Sequence, residues 1–159
     1  PNDIARVLRE KYDASDMHNA FRNLNSMLNL DYLLIDTHPG LNEETLLSIA
    51  ISDCLIIILR PDQQDFQGTS VTVDVANRLR VPEISLIVNK VPLDYDWQDV
   101  KRKVENAYHA EVSALLPLSI DVAQNASAHV FALENPGHPF STGIHTVVDK
   151  LVTAAPVPY

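Results

Sequence analysis

The 159 residues, 46% of them hydrophobic, suit one compact domain spanning 1–159. A net charge of −9 argues against indiscriminate binding of nucleic acid and against docking on an anionic membrane. A lone cysteine, Cys54, excludes a disulfide framework and fits a reducing cytoplasm, where it reads as a buried small hydrophobe.

No apolar stretch approaches the roughly 20 residues that span a bilayer, and no signal peptide is visible. The first residue is Pro1 rather than Met, so the expectation is that the natural start lies upstream. Asp3 can cap a short helix with Ile4, Val7 and Leu8 on one face. Ser15 can cap a second, with Met17, Ala20, Phe21, Leu24 and Leu28 at helical spacing. Next comes the stretch around which the chain is arranged. An apolar run, Tyr32 to Ile35, predicts a strand over 32–36 that ends on a lone carboxylate, Asp36. The turn Thr37-His-Pro-Gly40 follows at once. In a parallel α/β sheet, ligands sit just beyond the carboxyl ends of the strands. An acid there can hold a metal-bound water near a phosphate.

Asn42 is a plausible N-cap, with Glu43 and Glu44 in the first turn and Leu46, Leu47, Ala50 and Ile51 as the apolar face. Cys54 to Leu59 is apolar throughout, as in a strand buried on both faces. Arg60 to Thr69 reads as a polar loop before a helix carrying Val71, Val75 and Leu79. Pro82 ends that helix, and a strand over 84–88 leads into Asn89-Lys90. Asp96 can cap a helix bearing Trp97, Val100, Val104, Ala107 and Tyr108, with Lys101-Arg-Lys103 as a solvated face. A fourth strand is expected over 112–116. Pro117-Leu-Ser119 turns into a helix running to Phe131, 135–139 is loop, and Ser141 caps the last helix, with Ile144, Val147, Val148 and Leu151 inward. The tail with Pro156 and Pro158 is expected to fray.

Strand and helix alternate repeatedly, which predicts a three-layer α/β/α fold with a parallel sheet. The polar residues cluster after the strands, at 36–40, 60–69, 89–90 and 117–121, where one crevice could gather them.

The run Tyr-Leu-Leu-Ile-Asp-Thr-His-Pro-Gly at 32–40 resembles the Walker B and switch region of the MinD/ParA family of P-loop ATPases. The likeness continues through Leu41 to Asp53, Arg60-Pro61, and Leu-Ile-Val-Asn-Lys at 86–90, and it leans towards the MinD side. It implies a P-loop NTPase fold, ATP and Mg²⁺ as cofactors, and an ATP-dependent homodimer with a protein activator, acting in septum placement or in chromosome or plasmid partition. By the same resemblance Asp36 holds Mg²⁺ through a water, and Gly40 brings its N–H to the γ-phosphate. Thr37 and Lys90 join the nucleotide site, Asn89 reads the adenine edge, and Pro117, Leu118 and Ser119 pack against the purine. Asp62 falls where the family often carries an acid near the dimer interface.

His38 replaces the first proline of the switch, where it reads as a tolerated turn residue or as a group titrating near neutrality. The larger departure is that no Gly-x-x-x-x-Gly-Lys-[Ser/Thr] occurs; the four glycines are Gly40, Gly68, Gly137 and Gly143. A phosphate cradle needs that loop. The resemblance therefore implies the C-terminal part of such an ATPase, incomplete on its N-terminal side and inactive alone. It also places the absent cradle strand between 32–36 and 54–59. The expectation is an open gap there, the alternative a direct ladder between those two runs.

Two other readings stay open. A non-catalytic interaction module could keep the fold and lack the cradle. A receiver-like phosphoacceptor domain is echoed by Asp36, Pro39-Gly40 and Lys90-Val-Pro92, but Asp3 and Asp13 do not end apolar runs and supply no acid pair. The six histidines show no metal-ligand spacing. With only Lys150 beside Asp149 in the last helix, no membrane binding is expected through this C-terminus, and no direct contact with nucleic acid is expected.

Overall fold

The computed structural model describes residues 14–153. Asp3 and its helix, Asp13, and the tail with Pro156 and Pro158 lie outside them. In chain order the elements are α1 (Ala14–Leu28), α2 (Glu43–Ala50), β1 (Cys54–Leu59), α3 (Gln63–Leu79), β2 (Glu83–Val91), α4 (Trp97–Tyr108), β3 (Glu111–Pro117), α5 (Ile120–Asn125), α6 (Phe131–Glu134) and α7 (Pro139–Thr153). The three strands form one parallel sheet in the order β1-β2-β3.

The sheet is buried on both faces where helices cover it. Ile57 and Leu59 of β1, Leu86, Val88 and Val91 of β2, and Val112 of β3 meet Val73 of α3 and Val104 and Tyr108 of α4. The opposite face, with Ile87, Ala114 and Leu116, packs on Val147 of α7. This is the expected α/β/α layering. Burying a residue such as Leu86, fully inaccessible in the central strand, contributes about 1.5–3 kcal/mol. Along β3, Val112 joins the first face and Ala114 the second although they are two residues apart. The register explains this. Leu86 pairs with Val112 but Ile87 with Ala114, so Ser113 is an extra, bulged residue. Its hydroxyl accepts a 2.7 Å hydrogen bond from Ser85, which satisfies both buried groups. On the other face Gly143 brings α7 against β3, where an added Cβ would stand 2.5 Å from a methyl of Leu116.

The run 32–36 is not a strand. Its backbone is extended but belongs to no ladder, and Tyr32, Leu33, Leu34 and Ile35 are all exposed, Leu34 at 83%. An apolar run becomes a strand only with an edge to pair with. Among the described residues the run pairs with none: no ladder joins 32–36 to β1, whose outer edge stays open. The direct ladder that was the alternative is therefore absent. Ile58, on the β1 face opposite α3, is 64% exposed and is an apolar side chain that nothing covers among the described residues.

Other boundaries differ for local reasons. Ser15 lies inside α1 rather than capping it, and the apolar stripe of that helix is little buried: Met17 and Phe21 are half-buried, while Ala20, Leu24 and Leu28 are exposed. Asn29, with φ 50°, closes α1 as the Leu30 N–H reaches back to the Asn25 carbonyl. Helix α3 begins at Gln63, so most of the expected loop over 60–69 is helical. Asp62 is its N-cap, accepting from the Asp65 N–H at 3.0 Å. Helix α5 stops at Asn125 because Ala126 and Ser127 turn left-handed, and the chain resumes as α6 at Phe131. Ser141 does not cap the last helix. Helix α7 starts at Pro139, a favoured first position, and Ser141 is its third residue, fully buried with its hydroxyl unpartnered. Asn42 and Asp96 are N-caps as expected, the former through a 2.8 Å bond from the Thr45 N–H.

Cys54 opens β1 half-buried, and burial, helped by Glu83 and Asp53, pushes its thiol up to about 11. At pH 7.5 its thiolate is then a few hundredfold scarcer than that of a free cysteine, while its greater basicity returns about a tenfold gain in intrinsic nucleophilicity. Alkylation of the folded chain should run about twentyfold slower than in denaturant. Equal rates in the two conditions, followed by mass spectrometry, would contradict the burial of this thiol. The raised value also means that stability, full below pH 9, declines as pH rises toward 11.

Candidate functional site

Two of the expected loops meet at the carboxyl ends of β2 and β3. Strand β2 runs past Val88 through Asn89 and Lys90 to Val91, farther than the apolar run alone suggests, and its pairing with β3 is irregular between Val88 and Val91. Lys90 adopts φ 58°, and the Asn89 Oδ1 accepts from the Lys90 N–H at 2.8 Å. The amide nitrogen of Asn89 takes no part in that bond and keeps its donors. Val91 pairs with Pro117, and its carbonyl accepts from the Leu118 N–H at 2.8 Å. Asn89, Lys90, Pro117, Leu118 and Ser119 are thereby gathered, with Pro117 buried, Leu118 exposed, and Ser119 capping α5 through the Val122 N–H.

The turn at 36–40 is held separately. Asp36, Thr37 and Gly40 are exposed, and the His38 carbonyl accepts from the Thr45 hydroxyl at 3.5 Å, which fixes the turn to α2. Helix α2 lies against α3. Gly40 has φ 96° with no atom within 4 Å of a built Cβ, so its glycine is required by the backbone conformation and not by crowding. Among the described residues no hydrogen bond joins 36–40 to the loops at 89–91 or 117–119.

After β1 stands a charged corner. The Arg60 guanidinium bonds Asp65 through Nε at 3.0 Å and an Nη at 3.1 Å and lies 3.3 Å from Asp62. It holds the Asp65 carboxyl below the ordinary value. Asp62 is thus engaged in capping and in this pair, and nothing else in the structure speaks to the interface role expected for it. A cavity of about 330 Å³ beside this corner is lined by Pro61, Phe66, Tyr95, Asp96, Asp99, Val100 and Lys103. A second, of about 350 Å³, lies at the opposite end of the sheet, between Glu83, Ser85, Tyr108 and Glu111. Neither is lined by a residue of the expected site. Lys101, Arg102 and Lys103 form exposed pairs with Glu105 and Asp99, as a solvated face does. No cluster of three metal-ligating side chains occurs among the described residues.

One participant escaped the sequence reading. His138 reads there as loop, yet its ring reaches Ser119 and Asp121. The only sequence signal was its place immediately before a proline that opens a helix.

Three parallel strands in sequential order, helices on both faces and polar loops at the strand ends define an α/β protein of three-layer α/β/α architecture. The particular fold is that of MinD. The chain superposes on the MinD cell division protein of Aquifex aeolicus with a TM-score of 0.74 at 17% identity, over 92% of this chain and 63% of that one. It matches the MinC:MinD cell division protein complex from the same organism with the same TM-score and identity. In sequence it is 25% identical over 126 residues to an uncharacterised ATP-binding protein of Methanocaldococcus jannaschii, covering 79% of this chain. The chain spans about half, 47%, of that relative's length. No family model matches it.

Proposed function

We propose that this chain is the C-terminal part of a MinD-like, Mg²⁺-dependent ATPase that works in the spatial organisation of the cell. The observation that supports this best is the meeting of Asn89-Lys90 with Pro117-Leu-Ser119 on a MinD fold, where an amide and an apolar loop suit a purine. Asn89 offers a donor and an acceptor on one side chain, which is what the adenine edge requires. The donor sets fit the groups they would hold. Asp36 is an exposed carboxylate with no protein partner among the described residues, suited to a water on Mg²⁺, and Gly40 leaves backbone open to a phosphate. Mg²⁺ when bound would supply charge stabilisation on the phosphoryl group. Asp36 would orient it, and Asn89 and the 117–119 loop would fix the base.

The phosphate cradle would come from residues of the complete protein outside this sequence. That protein would be cytoplasmic, dimerise around ATP and answer to a protein activator; the MinD neighbour itself is seen with MinC. No helix among the described residues is long and apolar enough to cross a membrane. Lys150, on α7, is paired with Glu111, so this helix presents little charge to anionic lipid.

The test is nucleotide titration of the full-length protein. ATP should bind, and Asn89→Ala should shrink the preference for ATP over GTP about tenfold. Unchanged discrimination would remove Asn89 from the base site. A non-catalytic module with this fold predicts no nucleotide binding at all, which the same titration reads.

A further inference from the structure

His138 is the N-cap of α7. Its carbonyl accepts from the Thr142 N–H at 3.0 Å, and its ring Nδ1 accepts from the Phe140 N–H at 3.1 Å. The second bond assigns the tautomer. With Nδ1 accepting, the proton of the neutral ring sits on Nε2. Nε2 faces the Ser119 Oγ at 3.4 Å and the Asp121 Oδ2 at 3.6 Å. Phe131 stands edge-on to the ring at 5.1 Å and 90°, which fixes its plane.

A serine beside a histidine invites reading Ser119 as a nucleophile. The geometry excludes it. A base must accept the serine proton, but the ring's free lone pair is at Nδ1, on the far side, and is already taken by the Phe140 N–H. What Nε2 can do is donate. It then joins the start of α7 to the loop after β3. That loop is already tied to β2 through Leu118 and Val91. Between the two ties the Leu118 side chain stands 54% exposed, an apolar surface without a cover.

We infer that His138 is a positioning residue for the nucleotide: it donates to Ser119, beside Asp121, and so holds Leu118 where a purine ring lies against it. The inference rests on the nucleotide reading above.

Two substitutions separate the clasp from the cap. His138→Asn keeps an acceptor near the Nδ1 position and cannot reach Ser119. His138→Gln places an amide near the Nε2 position. In the full-length protein, His138→Asn should weaken ATP binding about fivefold, the loss of one hydrogen bond. Competition by inorganic tripolyphosphate, which lacks a base, should be unchanged. Amide exchange should quicken at Val122 while Phe140 stays protected, and His138→Gln should return ATP affinity to within about twofold of wild type. Wild-type affinity in His138→Asn, or a loss that accompanies deprotection of Phe140 and is not rescued by Gln, overturns the inference and leaves the nucleotide reading standing. A wild-type protein that binds neither ATP nor GTP overturns both.

Discussion

Asp36→Ala in the full-length protein is expected to lower ATP turnover about a hundredfold and to leave the unfolding transition where it was. The two halves of this result have separate causes. Asp36 is exposed, sits outside the sheet and has no protein partner among the described residues, so removing its carboxylate deprives the fold of nothing it uses. A surface change of that kind usually moves stability by less than about 0.5 kcal/mol. Phosphoryl transfer, by contrast, depends almost wholly on positioning and charge stabilisation. A carboxylate that holds the water on Mg²⁺ affects the developing charge directly. Turnover within about threefold of wild type, measured by phosphate release at saturating ATP, would refute the assignment of Asp36. Paired losses in turnover and stability would show a structural role in its place.

That Asp36 lies on an unpaired segment marks the limit of what this sequence reveals. β1, β2 and β3 were legible because each carries enough apolar residues to be buried, and each has its neighbour within the chain. Tyr32 to Ile35 has the same composition and no neighbour among the described residues, and local pattern does not report whether an edge is available. Of the expected site residues, Asn89 and Pro117 were named from their side-chain types, and the fold does bring their loops together. It was illegible where it depends on backbone course. Asn89-Lys90 reads as the loop after a strand, but β2 resumes its pairing at Val91 beyond an irregularity at the left-handed Lys90. Gly68 suggested loop, yet it lies inside α3, whose start is set by the Asp62 cap. His138 gave no periodic signal, because its partners Ser119 and Asp121 are distant in sequence and meet it only through the packing of α7 on β3.

The bare surface beside β1 yields the other large effect, which is read from two adjacent residues. Leu59 is 1% exposed and packs beneath α3 and α4; Ile58, its neighbour on the other face, is 64% exposed. Leu59→Ala should cost this chain about 3 kcal/mol through lost transfer energy and the cavity left behind, whereas Ile58→Ala should cost less than about 0.5 kcal/mol. Ile58 presents an apolar side chain on a strand with an unpaired edge, and the run from Tyr32 to Ile35 adds further exposed apolar side chains, a ready template for association between copies. Ile58→Lys should therefore make this chain more monodisperse in sedimentation without destabilising it. In the full-length protein the proposed cradle strand would pair with β1 and the surface around Ile58 would be covered. There the same lysine would be buried without a partner and should cost several kcal/mol. Chemical denaturation of both forms, with and without Ile58→Lys, decides the matter. A substitution that is harmless in the short chain and damaging in the long one is the result expected of an open sheet that the rest of the protein closes. Equal tolerance in both would mean that β1 is a true edge strand, and would favour the non-catalytic module over the ATPase.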